Sequence, residues 1–151
     1  MKHLLIIYHS QSGNTAQLAA AVMRGCQQEA DVETRLYKAF DAGLEELLWA
    51  DGILFGTPEN FGTMSGALKD FFDRTYYPAE PYKINLPYAL FISAGNDGSG
   101  AVREIDRIVS GYPMKKIAPA LIAKAEVSRD HLQQCEEFGL SMAAGLAIGI
   151  F

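Results

Sequence analysis

Ser10-Gln11-Ser12-Gly13-Asn14-Thr15 lies between an apolar run, Leu4 to Tyr8, and a segment of helical periodicity that begins near Thr15. A strand, a tight hydroxyl-rich loop and a helix in that order aim the unpaired N–H groups of a first helical turn at whatever occupies the loop. The pattern predicts an anion cup, and its chemistry narrows the anion. A triphosphate loop needs G-x-x-x-x-G-K-[ST], and a dinucleotide fold needs G-x-G-x-x-G. Neither spacing is present, and no Lys or Arg occurs from Ser10 to Ala21. The hydroxyls of Ser10, Ser12 and Thr15, backbone N–H groups and the helix dipole are left to hold the charge. A neutral cup of this kind suits one terminal phosphate monoester.

The flanking chain reads as strands alternating with helices. His3 to His9 is a nearly continuous apolar run, as expected of a parallel strand covered on both faces. Leu18, Ala19, Val22, Met23 and Cys26 then recur at helical spacing, with an end expected near Gln27-Gln28. Asp31 to Tyr37 alternates, with Val32, Thr34 and Leu36 on one side, which predicts an edge strand. A short helix over Leu44 to Trp49 precedes a second buried strand, Asp51 to Thr57, and a loop, Pro58 to Thr63.

Leu68, Phe71, Phe72 and Thr75 give a helix over Ser65 to Thr75, and the Pro- and Tyr-rich Tyr76 to Pro87 reads as an ordered surface excursion. Tyr88 to Ala94 is a third buried strand, followed by the turn-rich Gly95 to Gly100 and a helix carrying Val102, Ile105, Ile108 and Val109 that closes at Gly111. The last strand falls within Lys115 to Lys124. It contains Pro119, which cannot donate a hydrogen bond inside a sheet, so it belongs at the opposite edge. Ser128 is the expected N-cap of a final helix from Arg129 to about Leu146. The expectation is α/β: a doubly wound five-stranded parallel sheet of order 2-1-3-4-5, with its ligand outside the carboxyl ends of the strands at the switch between strands one and three.

Composition bounds the function. A chain of 151 residues that is 49% hydrophobic is expected to form a single domain over 1–151. The formal net charge of -5 is spread without a basic cluster, which argues against nucleic acid and against an anionic membrane surface. No apolar run reaches the roughly 18 residues of a membrane span, and the first residues read as a strand rather than a signal peptide. Cys26 and Cys135 have neither C-x-x-C nor metal-ligand spacing and read as buried free thiols in a reducing cytoplasm.

With these motifs in order, the sequence resembles the flavodoxin-like superfamily, and within it the small FMN-dependent NAD(P)H:quinone and flavin reductases. Two stretches carry the resemblance: the Ser10 to Thr15 loop, and Gly56-Thr57-Pro58-Glu59-Asn60-Phe61-Gly62-Thr63-Met64-Ser65-Gly66-Ala67-Leu68-Lys69-Asp70-Phe71-Phe72-Asp73. The second is similar to G-[ST]-P-x-x-x-G-x-x-x-G-x-[LM]-K-x-F-x-D of that branch. The resemblance implies FMN as cofactor, with Ser10, Ser12, Gly13, Asn14 and Thr15 at its phosphate. Pro58, Glu59, Asn60, Phe61 and Gly62 would border the ring, and Gly95, Asn96, Asp97 and Gly98 would meet its pyrimidine edge.

The resemblance implies no catalytic side chain, because the flavin carries the chemistry, and no metal. It implies an oxidoreductase moving electrons from NAD(P)H through FMN to a quinone or similar small-molecule acceptor. A flavodoxin-type carrier that docks to a redox partner protein is the alternative, and a flavin-free module of the same fold is a third reading. Gly95 to Gly100 lacks the aromatic of simple flavodoxins, which leaves one ring face open to a nicotinamide or quinone. Bland readings stand beside these: Phe61 as an ordinary aromatic, and Asp97 as a turn former. The run from Ser141 to Phe151 is apolar on every helical face past Ser141, which raises the expectation of a homo-oligomer.

Overall fold

The computed structural model describes residues 1–151. Its sheet begins with β1 (Lys2–Tyr8), followed by α1 (Asn14–Cys26), β2 (Val32–Lys38), α2 (Leu44–Trp49) and β3 (Gly52–Pro58). The chain continues through α3 (Gly66–Ala79), β4 (Pro87–Ala94), α4 (Ser99–Val109), β5 (Lys115–Lys116), β6 (Leu121–Lys124) and α5 (Arg129–Ile148). All pairings are parallel in the order β2-β1-β3-β4, and β4 pairs further with β5 and with β6. The expected order 2-1-3-4-5 holds, with the fifth position shared by two short strands.

The central strands carry continuous apolar runs because both of their faces are covered. Leu5, Ile7, Ile53, Phe55, Leu90 and Ile92 face α2, α3 and α4, where Phe55 packs against Phe71 and Phe72 at ring-centroid distances of 6.4 and 5.2 Å. Leu4, Ile6, Leu54, Ala89 and Phe91 face α1 and α5 and meet Leu18, Val22, Met142 and Leu146. Period-two alternation thus splits each strand between two cores. Helices α1 and α5 touch backbone to backbone: a Cβ on Gly139 would lie 2.1 Å from the Val22 carbonyl oxygen, and one on Gly25 would lie 1.9 Å from that of Glu136. Cys26 and Cys135 are free and buried, as expected.

Helix α1 ends where expected, with Cys26 its last residue and Gln27 its C-cap. Other boundaries differ from the sequence expectation. Helix α3 does not end at Thr75 but runs to Ala79 with Pro78 in its last turn, so the expected surface excursion opens as helix. Tyr112 holds that turn in place: its hydroxyl donates to the Phe72 carbonyl at 3.0 Å and lies 2.9 Å from Thr75 Oγ1, and its ring meets Tyr76 edge-on at 5.3 Å. The last strand does not run through Pro119. It breaks there into β5 and β6, because a proline has no N–H to offer β4.

Ser128 caps α5 as expected, its hydroxyl accepting from the His131 N–H at 3.2 Å. The helix extends two residues past Leu146 and ends at Gly149, whose φ is 75°. There Ile150 N–H donates to the Gly145 carbonyl and Gly149 N–H to that of Leu146, a Schellman closure. Phe151 turns back onto Gly145, so part of the apolar terminus covers its own core, while Ile148 and Ile150 stay exposed. No helix is long and apolar enough to cross a membrane.

Candidate functional site

The loops after β1, β3, β4 and β6 meet at one end of the sheet. In the first, Gly13 sits at φ 103°, in the left-handed region glycine favours, and opens α1. Ser10 Oγ accepts the N–H groups of Gly13 and Ala16, each at 3.1 Å, and so replaces a side-chain N-cap. The N–H groups of Ser12, Asn14 and Thr15 keep no partner within the protein. Those orphan donors lie at the positive end of a helix, where an anion would be favoured.

The hydroxyls divide differently from the sequence expectation. Ser10 spends both lone pairs on the backbone and keeps only its proton for a ligand. Thr15 is buried and its hydroxyl lies 2.7 Å from that of Ser93 at the end of β4. Ser12, on the surface, is the hydroxyl left free, so backbone N–H groups provide most of the cup.

The loop after β3 is a built structure. Thr57 Oγ1 accepts the Ser65 N–H at 3.0 Å, and Ser65 Oγ in turn caps α3 by accepting from Leu68 N–H at 3.3 Å. Asn60 and Thr63 exchange backbone hydrogen bonds of 2.8 and 3.0 Å around Phe61 (φ 53°) and Gly62 (φ 74°), a two-residue turn of the primed kind. Phe61 stands fully exposed at its tip, outside the cleft described below.

Glu59 reaches across to α4, accepting from the N–H groups of Gly98 (3.0 Å), Gly100 (2.9 Å) and Ala101 (3.2 Å). Its carboxylate therefore ties two loops together, and the residue borders the cleft. Gly100 is required here, since a Cβ would lie 2.0 Å from the Gly62 carbonyl oxygen. Asp97 accepts from Ser99 Oγ at 2.8 Å and from its N–H at 3.4 Å, and these bonds hold its carboxyl below the usual range. It is a turn former and lies off the cleft, as do Asn96 and Gly98.

Between these loops lies a cleft of about 440 Å³ bordered by Ser12, Asn14, Pro58, Asn60, Ser93 and Gly95, within the usual size of a cofactor pocket. Ala125 and Glu126, after β6, complete its wall. They escaped the sequence reading, although their strand ends on the same side of the sheet as the others. A second cleft adjoins across Ser10 and Gly13. An added Cβ at Gly13 or at Gly95 would meet nothing within 4 Å, so open space lies over both. Unpartnered N–H donors at one end and an open glycine floor at the other fit a flavin mononucleotide.

Comparison with known proteins agrees with this geometry. A family described as NADPH-dependent FMN reductase matches residues 36–119. A flavodoxin from Aquifex aeolicus is 40% identical over 73 residues, 48% of this chain and 40% of that protein. Quinone-oxidoreductase QR2 of Triphysaria versicolor is 29% identical over 116 residues, 63% of this chain and 57% of its own. The chain thus spans about half the length of these curated relatives. A flavodoxin structure from the domain Archaea superposes with a TM-score of 0.81 at 25% identity, covering 95% of this chain and 98% of that one. These matches indicate FMN as the cofactor. With its family pattern running from the middle of the sheet's edge strand to the break before β6, the chain belongs to the NADPH-dependent FMN reductase family.

Proposed function

We propose that the protein is an FMN-dependent oxidoreductase that takes electrons from NAD(P)H and delivers them to a quinone or similar small acceptor. The observation that carries this reading is the cleft itself: a charge-neutral cup of N–H donors leads to a glycine-floored platform that no aromatic side chain covers. FMN, when bound, supplies the exchange of an electron pair between the two substrates. The chain binds and orients it. Ser12, Asn14 and Thr15 would hold the phosphate through N–H groups, and Pro58, Asn60 and Gly95 would flank the ring. Glu59 fixes the spacing of the two ring-side loops.

The test is anaerobic mixing of FMN-loaded protein with NADH and with NADPH. Bleaching of the flavin by either nucleotide supports the enzyme. Failure with both, FMN remaining bound, favours a carrier docking to a redox protein, a reading supported by the flavodoxin matches. Equal affinity for FMN and riboflavin removes the phosphate cup from either reading. The exposed Ile148 and Ile150 support self-association at the end of α5, which light scattering at micromolar concentration tests. Two buried, unpaired thiols suit a reducing compartment such as the cytoplasm.

A further inference from the structure

We propose that the second cleft, at the carboxyl ends of β1 and β2, binds the adenosine monophosphate group of a dinucleotide, either a pyridine nucleotide or FAD. This rests on the flavoprotein reading and extends it to the residues that hold the other half of the substrate or cofactor. The cleft measures about 600 Å³ and is lined by Tyr8, His9, Ser10, Lys38, Phe40 and Asp41 among others. It shares Ser10 with the phosphate loop, so one molecule can extend from the anion cup into it.

Phe40 is the central observation. It is 64% exposed, yet the turn that carries it, Ala39–Asp41, is clamped from α3. Arg74 donates Nη2 to the Ala39 carbonyl at 2.9 Å and Nη1 to the Ala42 carbonyl at 3.0 Å, while its Nε is anchored on Asp70 at 2.7 Å. An apolar ring of this size, held in the open by backbone fixed on both sides of it, is presented rather than left over. The His9 ring stands edge-on to it at 6.2 Å, which makes an aromatic corner open to a flat base.

The polar groups match the rest of the nucleotide. Lys38 makes no ion pair within the protein and can meet a phosphate. Asp41, likewise unpaired, can accept the ribose hydroxyls. The position agrees by analogy with dinucleotide folds, where an acidic residue beyond the second strand meets the adenosine ribose while the first loop holds phosphate.

Calorimetric titration of 5′-AMP into the full chain, FMN-free and FMN-loaded, tests the site. The proposal expects saturable binding that Phe40→Ala weakens about fivefold or more, as loss of one stacked base does. Lys38→Ala should weaken it also, Phe40→Tyr should retain it, and FMN affinity should stay unchanged in all three. Because Phe40 is exposed, an unchanged urea midpoint checks that Phe40→Ala still folds. No saturable binding at millimolar AMP, or binding indifferent to both alanine variants, overturns the proposal while the FMN reading stands.

Phe40-dependent AMP binding in a protein that takes up no FMN keeps the adenosine site and overturns the flavoprotein reading instead. Two further titrations separate the sources. A tighter fit of FAD than FMN that disappears in Phe40→Ala assigns the site to the cofactor. Displacement of NAD⁺ from FMN-loaded protein by AMP assigns it to the electron donor.

Discussion

The Thr15 and Ser93 hydroxyls lie 2.7 Å apart in a buried contact that joins the first turn of α1 to the end of β4 across 78 positions of sequence. One hydroxyl donates and the other accepts, so each satisfies the other away from water. Thr15→Val keeps the shape and leaves Ser93 without its partner, which should cost about 1–3 kcal/mol of stability. The double variant Thr15→Val/Ser93→Ala should cost less than the sum of the two single changes. Urea denaturation of the four proteins checks this, and strict additivity would show that the two hydroxyls do not interact.

Ser12 carries the one hydroxyl of the Ser10 to Thr15 loop that has no partner within the protein. Ser12→Ala should weaken FMN by about 1.5–3 kcal/mol, as for a hydrogen bond to a charged oxygen, and leave riboflavin untouched. Fluorescence titration of both flavins reads the difference. An equal loss for both would move the phosphate away from this loop.

Glu59 holds the first turn of α4 through three N–H groups. Glu59→Gln keeps the length of the side chain but removes the charge and one acceptor, so the stability loss should be about 1–3 kcal/mol. FMN should weaken as well, because the loops on both sides of the cleft lose their common tie. A variant as stable as the parent but unable to bind FMN would instead mean that the carboxylate meets the cofactor directly.

The sheet order and the strand–loop–helix turn at Ser10 to Thr15 were legible from local pattern alone. Continuous apolar runs at Leu4 to Tyr8 and Tyr88 to Ala94 mark strands buried on both faces, and Gly13 marks the turn between strand and helix. The role of Glu59 was not legible, since its partners lie 39 to 42 residues away and nothing in Thr57 to Phe61 says which way a side chain turns. The same holds for Thr15, a surface-loop residue by sequence whose hydroxyl points inward. Tyr76 to Ala79 read as the start of a surface excursion because the support for that last helical turn comes from Tyr112, on the far side of two intervening elements.

Glycines at the α1–α5 contact and at the head of α3 should respond in opposite senses. Gly139→Ala drives a methyl into the Val22 carbonyl and should destabilise by about 1–3 kcal/mol or more. Gly66→Ala meets nothing within 4 Å and should be neutral or stabilising by about 0.4–1 kcal/mol, through a less flexible unfolded chain. Thermal melts of the two variants make the comparison.

Burial pushes the Cys26 thiol up to about 12 and that of Cys135 up to about 11, from an ordinary 9.0. Raised in the folded protein, both thiols hold their protons after the unfolded chain has released them. Their contribution is whole below pH 9 and is lost as pH climbs towards 11 and 12, at about 1.4 kcal/mol per pH unit for each thiol. Urea midpoints should fall across that window, and less steeply in Cys26→Ala. At pH 8 a thiol reagent should label neither cysteine until urea unfolds the chain.

The interruption at Pro119 bears on what the protein avoids. Outside β4 the sheet ends in one strand of two residues and another of four, offset around a residue with no N–H, so an incoming chain finds no unbroken row of donors and acceptors to copy. At the opposite margin, β2 presents the exposed Arg35 and Lys38. Both margins thus discourage strand addition, the first step by which a sheet templates a fibril.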